Sequence, residues 1–282
     1  MIAHPIEATM PTIRTALRAF ALSTAFLAAP ALAADDPIEQ FRPSGEATFD
    51  HSAFDSILDR HVVVDEEGLA RVDYEALKAE HGALKDYVAA LEAATPSQMG
   101  EDAAHAYWIN LYNAKTLDVV LDAYPVESIR SINLGGALFR PGPWSQDILE
   151  VEGTELTLDD VEHRIVRALF LDPMSHYGLN CASYSCPNLM PDAYTAENLD
   201  ALLAESGRLY VNHDRGVEVR DGRIVASKIY DWYADDFGGE DALQEHWASL
   251  ASEEKAKAIA AASISYYTYD WDLNDVKAPS GS

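Results

Sequence analysis

Hydrophobic spacing divides the chain into short elements arranged around one long helix. Over 101–124, Ala104, Trp108, Leu111, Tyr112, Leu117, Val120 and Leu121 cover much of a helical circumference. A helix that is apolar nearly all round is central and buried. Asn110, Asn113 and Lys115 interrupt that surface. A buried amide must be hydrogen-bonded, so these residues either brace neighbouring backbone or face a site. Upstream, Phe54, Ile57, Leu58 and His61 recur at helical spacing. Residues 62–64 and 69–72 read as short strands about the turn Asp65-Glu66-Glu67-Gly68, and 74–77 and 84–91 as helices. Thr95-Pro96-Ser97 closes that run.

Downstream, Pro125 stops the long helix. Residues 131–147, rich in Gly and Pro and carrying Phe139 and Trp144, predict a long loop, and 148–153 a strand and turn. Thr157-Leu158-Asp159-Asp160 opens a helix over 158–171 with acids in its first turn. On it His163 and Arg167 are four apart and share a face. A helix over 197–209 follows, then a hairpin of 217–219 with 223–225 through Asp221-Gly222. Helices over 230–237, 241–249 and 253–262 lead to an aromatic tail, 266–271, expected to pack on the body. The pattern predicts one α+β domain over 51–276, dominated by helix, with a small antiparallel sheet.

The N-terminus changes the picture of where this domain works. Arg14 and Arg18 precede an apolar run over 19–29, and Ala31-Leu32-Ala33 is a small-x-small cleavage site. Residues 1–33 are therefore expected to be an export signal, with Met10 a second candidate start. The apolar run is too short to span a bilayer comfortably. The expected product is periplasmic or secreted, with no membrane span after signal removal. An extended segment over 34–50 and a disordered tail over 277–282 flank the domain. The formal net charge of −27 disfavours nucleic acid and anionic membrane surfaces. It serves solubility, or else attracts a cationic substrate.

One stretch stands apart in this acidic chain. His176-Tyr177-Gly178-Leu179-Asn180-Cys181-Ala182-Ser183-Tyr184-Ser185-Cys186-Pro187 holds the only two cysteines of the 282 residues. Three readings are open. In an exported chain two cysteines carry an expectation of a disulfide, here Cys181–Cys186. Its loop is short, so it would contribute about 2 kcal/mol. A second reading is thiol chemistry, which needs a cation or imidazole beside the sulfur and a third group to orient the imidazole. Cys181 would be the nucleophile, His163 the base, and Asn113 or Glu162 the orienter. Arg167 would lower the thiol pKa or bind a substrate carboxylate. Asn110, His176 and Trp232 are further candidates for substrate contact, with core packing the plainer role for Trp232 and Tyr233. The third reading is a zinc-type site of His163, His176, Cys181 and Cys186, whose spacing lacks the compact pairs of structural zinc sites. No phosphate loop, Gly-x-Ser-x-Gly elbow or His-Glu-x-x-His occurs, and neither cofactor nor metal is expected.

Four motifs in order carry a resemblance. They are residues 107–114 (Tyr-Trp-Ile-Asn-Leu-Tyr-Asn-Ala), 158–167 (Leu-Asp-Asp-Val-Glu-His-Arg-Ile-Val-Arg), the Asn180-Cys181 to Ser185-Cys186-Pro187 segment, and 227–237 from Ser227-Lys228 to Asp236-Phe237. Together, over roughly 103–237, the chain resembles the domain-of-unknown-function family 547. The resemblance implies a fold more than an activity. It also implies that the first cysteine, the Glu-His pair and the Trp-x-Asn-x-x-Asn helix are the recurring features, and that the second cysteine is replaceable. That singles out Cys181, His163 and Asn113, the set a papain-like or transglutaminase-like thiol site needs. In papain-like sites, however, the cysteine starts a buried helix, whereas here it lies in a loop. Two functions are compatible with the sequence. One is an exported thiol hydrolase or acyl transferase acting on amide bonds of small-molecule, peptide or cell-envelope material. The other is a non-catalytic periplasmic binding or scaffold domain with oxidised cysteines.

Overall fold

A computed structural model describes residues 37–134 and 142–277. The expected signal over 1–33, residues 278–282 of the expected tail, and Phe139 with the middle of the 131–147 loop lie outside the described residues. The architecture is α+β, and the long helix is its axis. This helix, α4 (Glu101–Ala123), follows α1 (Ser52–His61), the hairpin β1 (Val62–Val64) with β2 (Ala70–Val72), the single turn α2 (Tyr74–Leu77), and α3 (His81–Glu92). Trp108, Ile109, Leu111 and Ala114 of α4 are fully buried, with Asn110 and Asn113. A 3-10 turn at Pro37–Phe41, within the segment expected to be extended, sets Phe41 edge-on against Trp108 at 5.1 Å.

After α4 come the hairpin β3 (Leu149–Val151) and β4 (Thr154–Leu156), and then a helix that differs from expectation. Thr157 and Asp160 cap it reciprocally: Asp160 N–H donates to Thr157 Oγ1 at 2.9 Å, and Thr157 N–H donates to Asp160 Oδ2 at 3.0 Å. From Asp160–Phe170 it is then a π-helix, not an α-helix. Its buried residues, Val161, Ile165 and Val166, recur at four and five, as the wider i→i+5 turn requires. Leu171, at φ +52°, ends it.

The last third builds a second apolar cluster. It comprises α5 (Leu199–Asn212), β5 (Val217–Arg220), β6 (Arg223–Ser227), α6 (Ile229–Trp232), α7 (Leu243–Leu250), α8 (Glu253–Ala260) and β7 (Ser263–Thr268). Tyr210, Tyr230 and Trp247 form its centre. The predicted hairpin is β5–β6, but β7 joins it in parallel, so this sheet is mixed. The tail expected to pack on the body thus begins as a strand. The cysteine stretch runs across the seam: Tyr177 belongs to the second cluster, and Leu179 and Ala182 to the first, around α4. No helix among the described residues is long and apolar enough to cross a membrane.

Candidate active site

Two asparagines hold the cysteine loop from behind. Asn113 Nδ2 donates to Gly178 O at 2.8 Å, and Asn180 N–H donates to Asn113 Oδ1 at 2.8 Å. Asn180 then shapes the turn itself: Ala182 N–H donates to its Oδ1 at 2.9 Å, and its Nδ2 donates to Pro187 O at 2.7 Å. Ala182 takes φ +61°, a left-handed conformation disfavoured for a residue with a Cβ, here held by those bonds. The segment after β7 closes the other side: Tyr184 N–H donates to Asp272 O at 2.7 Å, and Asn274 N–H to Ala182 O at 3.0 Å.

That closure brings Tyr269 onto the sulfurs. Cys181 Sγ lies 3.1 Å from Ser183 Oγ and 3.2 Å from Tyr269 Oη, and the Tyr269 hydroxyl also reaches Cys186 Sγ at 3.3 Å. Both cysteines carry free thiols, so the expected Cys181–Cys186 disulfide is not formed. Instead the Cys181 N–H donates to Cys186 Sγ at 2.9 Å. Burial raises the cost of a thiolate at Cys181, but hydrogen bonds from Cys186, Ser183 and Tyr269 outweigh it and hold this thiol below its usual range. Burial and the neighbouring Cys181 charge push Cys186 up. Of the two thiols, Cys181 is thus the one that gives up its proton more readily. Ser183 Oγ also donates to Tyr269 Oη at 2.8 Å, so the two hydroxyls and the two sulfurs form one hydrogen-bonded cluster.

Cys181 is half-buried and opens on a cleft of about 180 Å³ at the seam. Tyr112, Leu179, Ile229, Trp232 and Tyr233 form part of its wall, with Trp144, Tyr269 and Trp271. Glu162, His163 and Asp159 reach in from the first turns of the π-helix, and His176 from the 3-10 turn Pro173–Tyr177. His163 Nε2 is 3.8 Å from Asp159 Oδ1 and its Nδ1 is 4.0 Å from Glu162 Oε1. Tyr233 donates to Glu162 Oε1 at 2.6 Å and stacks on His176 at 4.3 Å. Arg167 lies over the outer part of this wall, its guanidinium 4.7 Å from the Tyr233 ring centre. It grips Asp236 through Nε at 2.6 Å and Nη2 at 2.9 Å, and His176 Nε2 shares Asp236 at 2.7 Å.

Of the residues singled out in the sequence, Cys181, Cys186, His163, His176 and Trp232 share the cleft. Asn113, Asn110 and Arg167 do not line it. Asn113 orients no imidazole, because both ends of its amide are occupied by loop backbone. Asn110 is likewise spent on Tyr194, donating to its O at 2.7 Å and accepting its N–H at 3.1 Å. Arg167 is committed to Asp236, so a substrate carboxylate would have to displace that bidentate pair. The zinc-type set is also corrected. Among the described residues no three of His163, His176, Cys181 and Cys186 bring ligand atoms within 4.8 Å of one another. The one group that does is His81, Asp118 and Asp122, where Lys85 and Lys115 already neutralise the carboxylates.

Sequence reasoning missed Ser183, Tyr269 and Asp236. Ser183 sits two residues after Cys181, which was a usable signal. Tyr269, in the aromatic tail, and Asp236, in the fourth motif, lie 88 and 60 residues from their partners Cys181 and His176, and nothing local shows those pairings.

No curated protein and no solved structure matches the chain. The fourth motif, over 227–237, lies beyond the stretch that a known family covers. The loop-bracing helix, the π-helix and the cysteine loop all fall within that stretch, residues 96–211, which matches the family described as Protein of unknown function, DUF547.

Proposed function

We propose that this chain is an exported thiol-dependent hydrolase or acyl transferase acting on amide bonds, with Cys181 as nucleophile and His163 as base. The observation that carries the reading is the surroundings of Cys181 Sγ. It faces a cleft, two hydroxyls lie within hydrogen-bond reach, its pKa is lowered, and an imidazole stands on the same cleft. A thiolate so placed attacks an acyl carbon, and the imidazolium returns a proton to the leaving amine. Water, or a second amine, then takes the acyl group from sulfur and restores the thiol. Asp159 and Glu162 each lie within 4.0 Å of His163, and Arg167 Nη1 stands 3.5 Å from its Nδ1. The aromatic walls and small volume suit one flat or narrow substrate group rather than a large ligand. Export rests on the sequence of residues 1–33, and periplasmic or secreted material is the corresponding substrate pool.

The test is the rate of Cys181 alkylation by iodoacetamide as a function of pH, for wild type and His163→Ala, with circular dichroism as the folding control. A reactive thiolate at neutral pH, slowed in the folded variant, is expected. An ordinary thiol profile in both proteins would remove the basis for nucleophilic catalysis and leave a binding cleft.

A further inference from the structure

The cleft beside Cys181 has a composition that thiol chemistry alone does not explain. Three rings gather on it: Trp232 lies 4.9 Å from Tyr269 and 5.9 Å from Trp271, and Tyr269 lies 4.6 Å from Trp271. Their interplanar angles run from 33° to 53°, so the rings form a corner rather than a stack. Trp232 is 44% exposed, which leaves part of its ring open to a ligand. Two carboxylates, Asp159 and Glu162, share the cleft, and no lysine or arginine is among its described lining residues. Ring faces are negative, and the acids add full charges, so this combination favours a positive ligand. Rings of the same wall already attract cations. Arg130 lies 5.1 Å over Trp271 and Arg167 4.7 Å over Tyr233, although neither arginine lines the cleft.

A buried hydroxyl points to a ligand independently. Tyr112, from α4, lines the cleft and is 1% exposed, yet its Oη pairs with no described residue. A buried hydroxyl without a partner is costly, and a ligand polar group offered there satisfies it.

We propose that the cleft binds an organic ammonium group, seated in the corner of Trp232, Tyr269 and Trp271 and balanced by Asp159 and Glu162. The histidines on the cleft do not supply that charge instead. His163 stands within 4.0 Å of both acids and offsets at most one of them, and His176 turns its Nε2 to Asp236 at 2.7 Å. The net charge of −27 draws cations toward the surface in which the cleft opens. As a statement about substrate, the inference rests on the reading of Cys181 as nucleophile: the amide attacked carries an ammonium group near the scissile bond.

The experiment titrates the full chain with choline and with its neutral isostere 3,3-dimethylbutan-1-ol, followed by tryptophan fluorescence, with sodium chloride at equal ionic strength as the control. The two probes share shape and hydroxyl and differ in charge. Choline should bind about tenfold or more tightly than the isostere, the scale of a desolvated cation–ring contact. Equal binding of the two, or no saturable response to choline, would overturn the proposal. The double variant Asp159→Asn with Glu162→Gln should lose most of the preference for choline, and Trp232→Leu should weaken choline about two- to fivefold. Circular dichroism checks that both variants fold, and the comparison of probes on wild type needs neither. A preference that survives in both folded variants would overturn the assignment of these residues. Cys181 alkylation in the same samples separates the two readings. An ordinary thiol profile with the choline preference intact would overturn the amide substrate and leave a cation-binding cleft. A reactive thiol with no choline preference would overturn this inference alone.

Discussion

Asn113→Ala separates bracing from chemistry at the central helix. Asn113 is 2% exposed and satisfies two backbone groups of the cysteine loop, Gly178 O and the Asn180 N–H, at 2.8 Å each. Alanine leaves both buried and unpaired. Each such group costs about 1–3 kcal/mol, so a loss of about 2–4 kcal/mol is expected after partial relaxation. For a domain of this size that corresponds to a fall in Tm of about 4–16 °C. The assay is thermal unfolding followed by circular dichroism, with urea titration at a lower temperature as a check on the free energy. Asn113→Asp keeps the acceptor for Asn180 but turns a carboxylate oxygen toward the Gly178 carbonyl, so it should be destabilised as well. An imidazole orienter behaves otherwise: its loss would slow His163-dependent alkylation of Cys181 and leave Tm nearly unchanged. That pattern would refute the assignment of Asn113 as a loop brace.

Because both thiols are free, Cys186→Ser should leave Cys181 alkylation in place, and the two serine variants should differ in Tm; equal losses with no titratable thiol would restore the disulfide. Asp236 is held below the usual carboxylate range, first by His176 and then by Arg167 against the opposing effect of burial. A depressed pKa gives stability that is present above the unfolded value, about 4, and is lost as pH falls below it. Asp236→Asn should therefore be less stable at neutral pH and show a flatter acid limb in Tm against pH; an unchanged acid limb would rule out this contribution. Tyr233→Phe removes a 2.6 Å bond to Glu162 while keeping the ring between His176 and Arg167. A loss of about 1.5–3 kcal/mol is expected by urea unfolding, and no loss would mean that the carboxylate is satisfied elsewhere.

The elements legible in the sequence are those whose cause is local. The apolar circumference of α4 comes from spacing alone, and the β5–β6 turn from Asp221-Gly222, which adopt φ +52° and +72° as a tight hairpin turn requires. The π-helix was not legible because Val161, Ile165 and Val166 also fit an α-helical stripe. β7 was hidden because its partner β6 lies about forty residues earlier and pairs in parallel, so no turn signal joins them. At the site, interruptions of apolar surface correctly marked Asn110 and Asn113 as polar groups needing partners. Their partners are backbone atoms of distant loops, and spacing carries no information about those. Cys181 and His163 stood out as candidates by residue type, whereas the pairings of Ser183, Tyr269 and Asp236 emerged only through contacts made by the fold.

Charge decides what the cysteine pair can do. With 47 acidic against 20 basic residues, the chain as a whole works against a thiolate. At physiological ionic strength, however, exposed charges beyond about 8 Å are largely screened, while buried neighbours are not. The balance at Cys181 is therefore struck by its immediate neighbours: the cost of burial against two hydroxyls and a neighbouring thiol at the sulfur. The two hydroxyls are placed by different segments: Ser183 by the strained turn and Tyr269 by the run after β7. Those segments meet only at the seam between the two apolar clusters. The lowered pKa of the Cys181 thiol is thus a property of the assembled fold. Loosening either segment should return Cys181 toward an ordinary cysteine before the protein unfolds.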